Sequence, residues 1–317
     1  MVQSDYATGI LLGLACGDAL GRPVEGWSSD HIEAEYGTLR DFAGYGAHDR
    51  PPGTVTDDTQ LAMRLARSLV NCGGFDRDDF VTRLVEWYEE QPFGIGGTTT
   101  EALRRIRDGV PPEDASRRAR ETKPPGKKAT NGSVMRCAPI AVPYATDREE
   151  LQRVSRTSSR VTHCDPRCVH GCSVLNLTLA YILTGSDRPL QAALDDLPAT
   201  APQELRHHLD PVPDEIDPTD IVPANDAVET LRAALYHGLT ASDAETAIVM
   251  AVNEGGDADT VGAVTGAIAG ARFGVSDVPD RWVATVEYRT ELEQLGEQLA
   301  NLRSGHCEAG DDRNDRS

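Results

Sequence analysis

Two stretches of this chain carry glycine at every fourth position inside otherwise apolar sequence. Val261 to Gly274 contains Gly262, Gly266 and Gly270, and Ile10 to Gly21 contains Gly13, Gly17 and Gly21. A four-residue spacing sets side chains on one face of an α-helix. A glycine in a helix interior costs roughly 1 kcal/mol relative to alanine, so its repetition on one face implies that another element packs very close there. Neither run reaches the ~20 apolar residues of a membrane-spanning helix, and both read as buried helices. The chain entering the second one, Asn253-Glu254-Gly255-Gly256-Asp257-Ala258-Asp259-Thr260, crowds oxygen-bearing side chains where a helix dipole is positive. Such residues are either ordinary helix caps or half of a metal site. Local sequence leaves both open.

A chain of 317 residues can bury a sizeable core. Its 51 acidic and 31 basic residues give a formal charge of -20, which argues against nucleic acid or an anionic membrane as the main partner. Only three of the basic residues are lysine, Lys123, Lys127 and Lys128. The composition suggests a salt-adapted protein, and the first residues lack the basic start and apolar core of a signal peptide, so a cytoplasmic location is expected. The seven cysteines are an odd number without a zinc-type spacing. Cys164, Cys168 and Cys172 recur one helical turn apart, as small buried side chains on a helix face do.

Taken in order, the chain reads as helix after helix. Asp18 lies inside the first apolar run, where a carboxylate must be paired, hydrogen-bonded or metal-associated. Arg22 to Trp27 is a loop bearing Glu25. Thr56-Asp57-Asp58 heads a helix marked by Leu61, Leu65 and Leu69. Residues 76 to 90 form another helix. Gln91 to Thr100 is a glycine-rich loop, including Gly96 and Gly97, opening a helix from Glu101 to Arg107; a loop of that kind can cradle phosphate with backbone N–H groups or simply connect. Residues 108 to 130 read as a surface connection. Asn131-Gly132-Ser133 starts an apolar helix through Ile140. Helical periodicity continues over Glu149 to Val161 and Cys168 to Leu183, with His163 in the turn between them, open to a substrate-contacting or a structural role. Leu197 to Asn225, with six prolines, is a loop-rich excursion. Helices at Asp226 to Tyr236, Asp243 to Val252 and Arg281 to Leu302 complete the pattern. No strand alternation occurs, and the expected fold is all-α, a single compact multi-helix domain over residues 1 to 303 with a polar, disordered tail at 304 to 317.

Thr56-Asp57-Asp58 and Asp257-Ala258-Asp259-Thr260 have the same content: two carboxylates and a threonine hydroxyl at a helix start. Together they offer six oxygen ligands and no sulfur or imidazole, a set suited to two hard divalent cations, Mg²⁺ or Mn²⁺. Four clustered carboxylates without cations would repel one another strongly. With these motifs joined to Gly13–Gly21, Thr56–Thr59, Asn131–Arg136, Thr162-His163 and Gly255–Thr260, all in order between residues 7 and 274, the sequence resembles the ADP-ribosylglycohydrolases.

That resemblance implies an all-α fold with a binuclear metal centre and cleavage of the N- or O-glycosidic bond of ADP-ribosylated protein side chains or related ADP-ribosides. By position it implies metal ligation by Thr56, Asp57, Asp58, Asp257, Asp259 and Thr260, and catalytic roles for Glu25 and Asp58. Asp18, Gly96, Gly97, Asn131, Gly132, Ser133 and His163 fall in stretches that line the substrate cleft. Phe93 and Tyr144 are candidate aromatics for the adenine. Two rival readings are a non-hydrolytic ADP-ribose-binding member and a two-metal phosphohydrolase. The leaving group and the oligomeric state are not encoded in any motif.

Overall fold

A computed structural model describes residues 2 to 302. Among the described residues there are fifteen α-helices and no strand. In order they are α1 (Ser4–Gly21), α2 (Ser29–Tyr36), α3 (Asp57–Cys72), α4 (Arg77–Glu89), α5 (Gly97–Arg107), α6 (Pro112–Glu121), α7 (Arg148–Arg160), α8 (Pro166–Leu183), α9 (Pro189–Asp195), α10 (Gln203–Leu209), α11 (Ala227–Thr240), α12 (Ala244–Asn253), α13 (Ala258–Phe273), α14 (Asp280–Val283) and α15 (Arg289–Asn301). The all-α expectation holds, and no described helix is long and apolar enough to cross a membrane. The expected polar tail lies outside the described residues.

The two glycine-faced helices are each other's partners. α1 and α13 make the most extensive helix contact in the fold and run antiparallel, with Gly9 facing Gly270, Gly13 facing Gly266, Gly17 facing Gly262 and Gly21 facing Ala258. A Cβ at Gly13, Gly17 or Gly266 would come within 3.0 Å of a backbone carbonyl of the other helix, so the two backbones touch with no side chains between them. Both helices are buried on every side, α1 continuously from Ala7 to Gly21 and α13 from Ala258 to Ala271. α11 and α12 pack on the far side of α13, and α15 on α1. α3 shows the contrasting one-sided pattern, burying Leu61, Leu65 and Leu69, and it ends at Gly73 in the left-handed conformation that glycine adopts without strain.

Four sequence expectations are corrected. Residues 131 to 140 are not a helix: they form consecutive tight turns and a short 3-10 segment, Ala138–Ala141, because Pro139 has no N–H to continue an α-helical ladder. The presumed connection at 108 to 130 contains α6, started by proline at its first turn and burying only Ala115, Ser116 and Ala119; small residues gave too little apolar signal to reveal it. The excursion at 197 to 225 holds α10, seated through Leu205 and Leu209. The last helix is broken into α14 and α15, since Glu287 N–H donates to Gly53 O at 2.9 Å and Tyr288 adopts a left-handed conformation.

Helix propensity alone would make Gly266→Ala stabilising by about 1 kcal/mol. Here the added methyl meets the carbonyl of Gly13, which no rotamer change can relieve. Gly266→Ala is therefore expected to destabilise by about 1–3 kcal/mol, read as a lower denaturation midpoint with unchanged slope; a midpoint at or above that of the parent would show that the helices can separate freely.

Candidate metal centre and cleft

The antiparallel pairing sets the C-terminal end of α1 beside the N-terminus of α13. From that end three side chains reach out in succession. Asp18 is fully buried and accepts from Thr56 N at 3.0 Å, Thr59 N at 3.1 Å and Thr59 Oγ1 at 2.5 Å. It thus caps the first turn of α3 from another helix, and the burial that lifts its pKa to about 6 is partly offset by those hydrogen bonds. Arg22 is also buried and donates to the carbonyls of Ala43, Tyr45, His48, Arg50, Pro51 and Thr54, shaping the loop that leads into α3. Glu25 follows, on a turn clipped to the α13 entry loop: Gly26 N donates to Gly256 O and Gly256 N to Trp27 O, both at 2.7 Å.

The two acidic helix starts therefore meet. Thr56 is the N-cap of α3, accepting from Asp58 N, and its hydroxyl donates to Asp58 Oδ2 at 3.1 Å. Asp259 Oδ1 accepts from Thr260 N at 2.8 Å, Asp257 Oδ2 accepts from Asn131 Nδ2 at 2.6 Å, and the Thr260 side chain bonds to Asp58. Carboxylate oxygens of Glu25, Asp257 and Asp259 lie within 4.8 Å of one another, a spacing that can hold a metal ion. Glu25 Oε2 contacts His48 Nε2 in a short hydrogen bond.

The electrostatics are those of crowded like charges in a desolvated place. Burial first, then Asp18, raises Asp57 to about 8. Burial, then Asp18, Asp57 and Asp257, raises Asp58 well above the usual carboxylate range, and burial, then Asp58 and Glu25, does the same to Asp259. Asp257 rises to about 6, mainly by burial. Asp58 Oδ1 is buried with no hydrogen-bond partner. An orphaned, buried carboxylate oxygen amid raised carboxylates is an incomplete arrangement by protein atoms alone, and an all-oxygen donor set of this kind fits a hard divalent cation.

The cleft beyond the carboxylates is lined by Gly94, Gly96, Gly97, Thr98 and Thr99 at the start of α5, by Lys123, by Thr130, Asn131, Gly132 and Met135, and by His163 and Asn225. α5 has no side-chain cap, leaving first-turn N–H groups turned to the cleft end of the helix. His163 is buried, its pKa pushed down to about 3 by burial, Arg136 and Lys123. Arg136 can only donate, so Thr162 Oγ1, 2.8 Å from Arg136 Nη2, accepts. That orients the Thr162 proton toward His163 Nδ1 at 2.8 Å and leaves Nε2–H to face Thr130 Oγ1 at 3.1 Å, which in turn reaches Thr98 Oγ1 at 3.0 Å.

Of the residues singled out in the sequence, Glu25, Asp57, Asp58, Asp257, Asp259, Thr260, Gly96, Gly97, Asn131, Gly132 and His163 share this one cleft. Asp18, Thr56 and Ser133 stand behind its wall, Ser133 bonded to Ser159 Oγ at 2.9 Å. Tyr144 is far from any cleft role: it is packed in the core with its hydroxyl accepting from Phe75 N. Phe93 lies beside the cleft, under the Arg50 guanidinium at 4.5 Å. Cys168 and Cys172 are buried and free, bonding to Thr130 O and Ser133 Oγ. Sequence reasoning missed Lys123, Arg22, His48 and Asn225. Only Lys123 carried a signal, as one of three lysines in an arginine-rich chain.

The ADP-ribosylglycohydrolase family model matches residues 2–309, and the chain belongs to that family. It is 30% identical over 291 residues to the ADP-ribosyl-[dinitrogen reductase] glycohydrolase of Rhodospirillum rubrum, covering 91% of this chain and 92% of the relative. It is 32% identical over 308 residues to the ADP-ribosylarginine hydrolase Tri1 of Serratia proteamaculans (strain 568), covering 93% of this chain and 79% of that protein. A solved structure titled ADP-ribosylglycohydrolase-related protein complex superposes with a TM-score of 0.80 at 34% identity, over 94% of this chain and 98% of that one.

The raised carboxylates link stability to pH. In the cation-free protein, Asp57 at about 8 and Asp257 at about 6 hold protons that the unfolded chain has already released. Their contribution is thus present below about pH 4 and is lost as pH rises through 6 to 8. Melting in EDTA is expected to fall between pH 5 and pH 8, and Mg²⁺ or Mn²⁺ to raise it most at pH 8. Equal stabilisation at both pH values would separate cation binding from these carboxylates.

Proposed function

We propose that this chain is a metal-dependent hydrolase that cleaves the N- or O-glycosidic bond of ADP-ribosylated side chains, or of related ADP-ribosides, and releases ADP-ribose. The observation that carries the proposal is the convergence of two acidic helix starts, with Asp58 Oδ1 left unpartnered, in a cleft also lined by the start of α5, by Lys123 and by His163. Membership of the ADP-ribosylglycohydrolase family supports it. Asp57, Asp58, Asp257, Asp259 and Thr260 are the cleft residues that would hold two divalent cations, Mg²⁺ or Mn²⁺, with Thr56 bonded to Asp58 behind them and reaching the cations only if that hydroxyl turns; the chemistry the cations supply when bound is Lewis-acid charge and acidification of a nearby water.

The remaining work falls to the chain's own groups. The bond that breaks joins the anomeric carbon of the distal ribose to a side-chain nitrogen or oxygen, through an oxocarbenium-like transition state. Water attacks that carbon, and the leaving atom departs with the bonding pair and gains a proton. We assign Glu25 Oε1 as acceptor of the water proton, because Oε2 is already engaged by His48 and the carboxylate faces Asp257 and Asp259. Asp58 is assigned a catalytic role through its free oxygen at the same point. The α5 N–H groups at Gly97 to Thr99, with the Lys123 ammonium beside Gly97, are assigned to the diphosphate, whose charge suits a helix N-terminus. His163, held neutral, fixes Thr130 at the cleft wall without adding charge.

Because one relative is named for ADP-ribosylarginine, the first substrate to test is ADP-ribosylarginine, with ADP-ribosylserine beside it. Free ADP-ribose is expected in Mg²⁺ or Mn²⁺ and none in EDTA. Asp58→Ala and Asp257→Ala should each lose at least the roughly 10–100-fold in cation affinity that loss of a residue merely hydrogen-bonded to a ligand costs, and most turnover. Glu25→Ala should lower kcat with cation binding largely retained. Lys123→Met should raise KM about 10-fold with little change in kcat. Release of AMP or inorganic phosphate in place of ADP-ribose would assign the centre to a phosphohydrolase, and full turnover in Asp58→Ala would remove the metal assignment.

A further inference from the structure

The four aspartates of the cleft stand at helix starts, but Glu25 hangs from the turn that follows a short 3-10 segment, Arg22–Val24. Its side chain is 36% exposed. Carboxylate oxygens of Asp257 and Asp259 lie within 4.8 Å of its own, and like charges that close drive a side chain with open water beside it outward. Something must hold Glu25 in. Among the described residues its carboxylate has one hydrogen-bond partner, His48 Nε2. A carboxylate only accepts, so the imidazole carries its proton on Nε2 and donates it. Oε2 is thereby occupied, and Oε1 is the oxygen left over.

The imidazole is itself held in place by its surroundings. Arg22 Nη1 donates to His48 O at 2.9 Å and Ala47 N donates to Pro23 O at 2.8 Å, so the backbone of residues 47 and 48 is tied to the very segment that ends in Glu25. Gly46 permits that approach: it has φ of +72°, and a Cβ there would come 2.1 Å from Pro23 O. The ring rests against Phe93, with centroids 5.6 Å apart, and the Arg50 guanidinium lies 4.5 Å from the centroid of Phe93. A Cβ on Gly94 would stand 4.0 Å from His48 Cε1 and 3.7 Å from Asp57 Oδ1, which puts the imidazole beside a cleft glycine that also borders α3. His48 does not line the cleft. A surface ion pair contributes little to stability. One fixed rotamer of a carboxylate is, by contrast, what a proton acceptor needs, since a displacement of about 1 Å can cost about 100-fold in rate.

We propose that His48 is a positioning residue, whose Nε2–H holds Glu25 against the repulsion of Asp257 and Asp259 so that Oε1 is presented to the attacking water. The proposal rests on the hydrolase reading above, with Glu25 as the proton acceptor. The proton taken from water goes to Oε1, and His48 keeps its own. His48 therefore acts wholly through Glu25, and three consequences separate this role from plain surface pairing. Loss of the N–H lowers kcat and leaves KM and cation affinity alone. The ring's contact with Phe93 cannot substitute for the N–H. The effect exists only while Glu25 is present.

The test compares His48→Phe, which keeps a flat ring without the donor, with His48→Gln, whose amide can donate from nearly the same place; His48→Ala replaces the first should it fail to fold. On the ADP-ribosyl amino acid that the parent cleaves, His48→Phe should lower kcat about 10-fold or more at unchanged KM and Mn²⁺ affinity, and His48→Gln should keep most of the parent's kcat. The double variant Glu25→Ala/His48→Phe should turn over no more slowly than Glu25→Ala. A parental kcat in His48→Phe, a loss confined to KM, or an equal further loss in the Glu25→Ala background would each overturn the proposal. Should the parent release no ADP-ribose, the hydrolase reading has failed, and the hold on Glu25 is judged separately by ¹⁵N-edited NMR of the imidazoles. A proton on His48 Nε2 whose resonance moves upfield in Glu25→Ala supports the hold; a spectrum that Glu25→Ala leaves unchanged overturns it.

Discussion

Backbone contact between α1 and α13 is the constraint on which the site depends. Seven glycines, Gly9, Gly13, Gly17 and Gly21 on one helix and Gly262, Gly266 and Gly270 on the other, bring carbonyls to within touching distance along four successive turns. Because the pair is antiparallel, the end of α1 arrives at the start of α13, so Asp18, Arg22 and Glu25 are delivered to one point in fixed order. Asp18 then recruits α3 by capping it, Arg22 gathers the loop that precedes α3, and Glu25 turns toward Asp257 and Asp259. A looser helix pair held apart by side chains would put several ångströms between the two acidic helix starts. Glycine was needed less for flexibility than for thickness.

That geometry opposes itself electrostatically. Two helix N-termini favour anions, and they are what permits Asp57, Asp58, Asp257 and Asp259 to be gathered at all. Burial and mutual repulsion still lift every one of them above the ordinary carboxylate range. Hydrogen bonds from Asn131, Thr56 and Thr260 relieve part of this, yet Asp58 Oδ1 has nothing. A protein selected for stability alone would replace at least one of these groups. Either protons or positive charge supplied from outside the chain would relieve that repulsion, and a cluster of this kind can hold a metal ion.

Much of this was legible because the informative residues are local. Helical periodicity survives as a pattern in one dimension and points to the all-α fold, and paired acidic helix starts point to one shared site, while the rest of the cleft lining was implied by the family resemblance. What stayed hidden was hidden for definite reasons. Asp18 reads as a site residue, since sequence can show that a carboxylate is buried but not that the N–H groups of Thr56 and Thr59 will meet it. Ser133 belongs to the same stretch as Asn131 and Gly132, but the tight turns that replace the expected helix point it inward toward Ser159. α6 went unseen because alanine and serine make its buried face. The stretch from Leu197 to Asn225 reads in sequence as a loop-rich excursion without an assigned role, and in the fold it returns to the cleft, ending at Asn225 and abutting Gly256 through Pro223.

Lys123 combines a hidden position in sequence with a defined place in the cleft. In sequence it is one lysine in a proline-rich connection, and in the fold it stands 3.1 Å from the point where a Gly97 side chain would begin. A methyl at 97 would shift the flexible ammonium by only a fraction of an ångström, so the loop both exposes N–H groups and has a cation beside them. The cleft thus lines carboxylates with donors: the Gly96 N–H bonds to Asp57, and Asn131 to Asp257, beside the Lys123 ammonium and the neutral His163 imidazole. Donors beside carboxylates in one cleft suit the proposed ligand, in which a diphosphate is joined to a ribose.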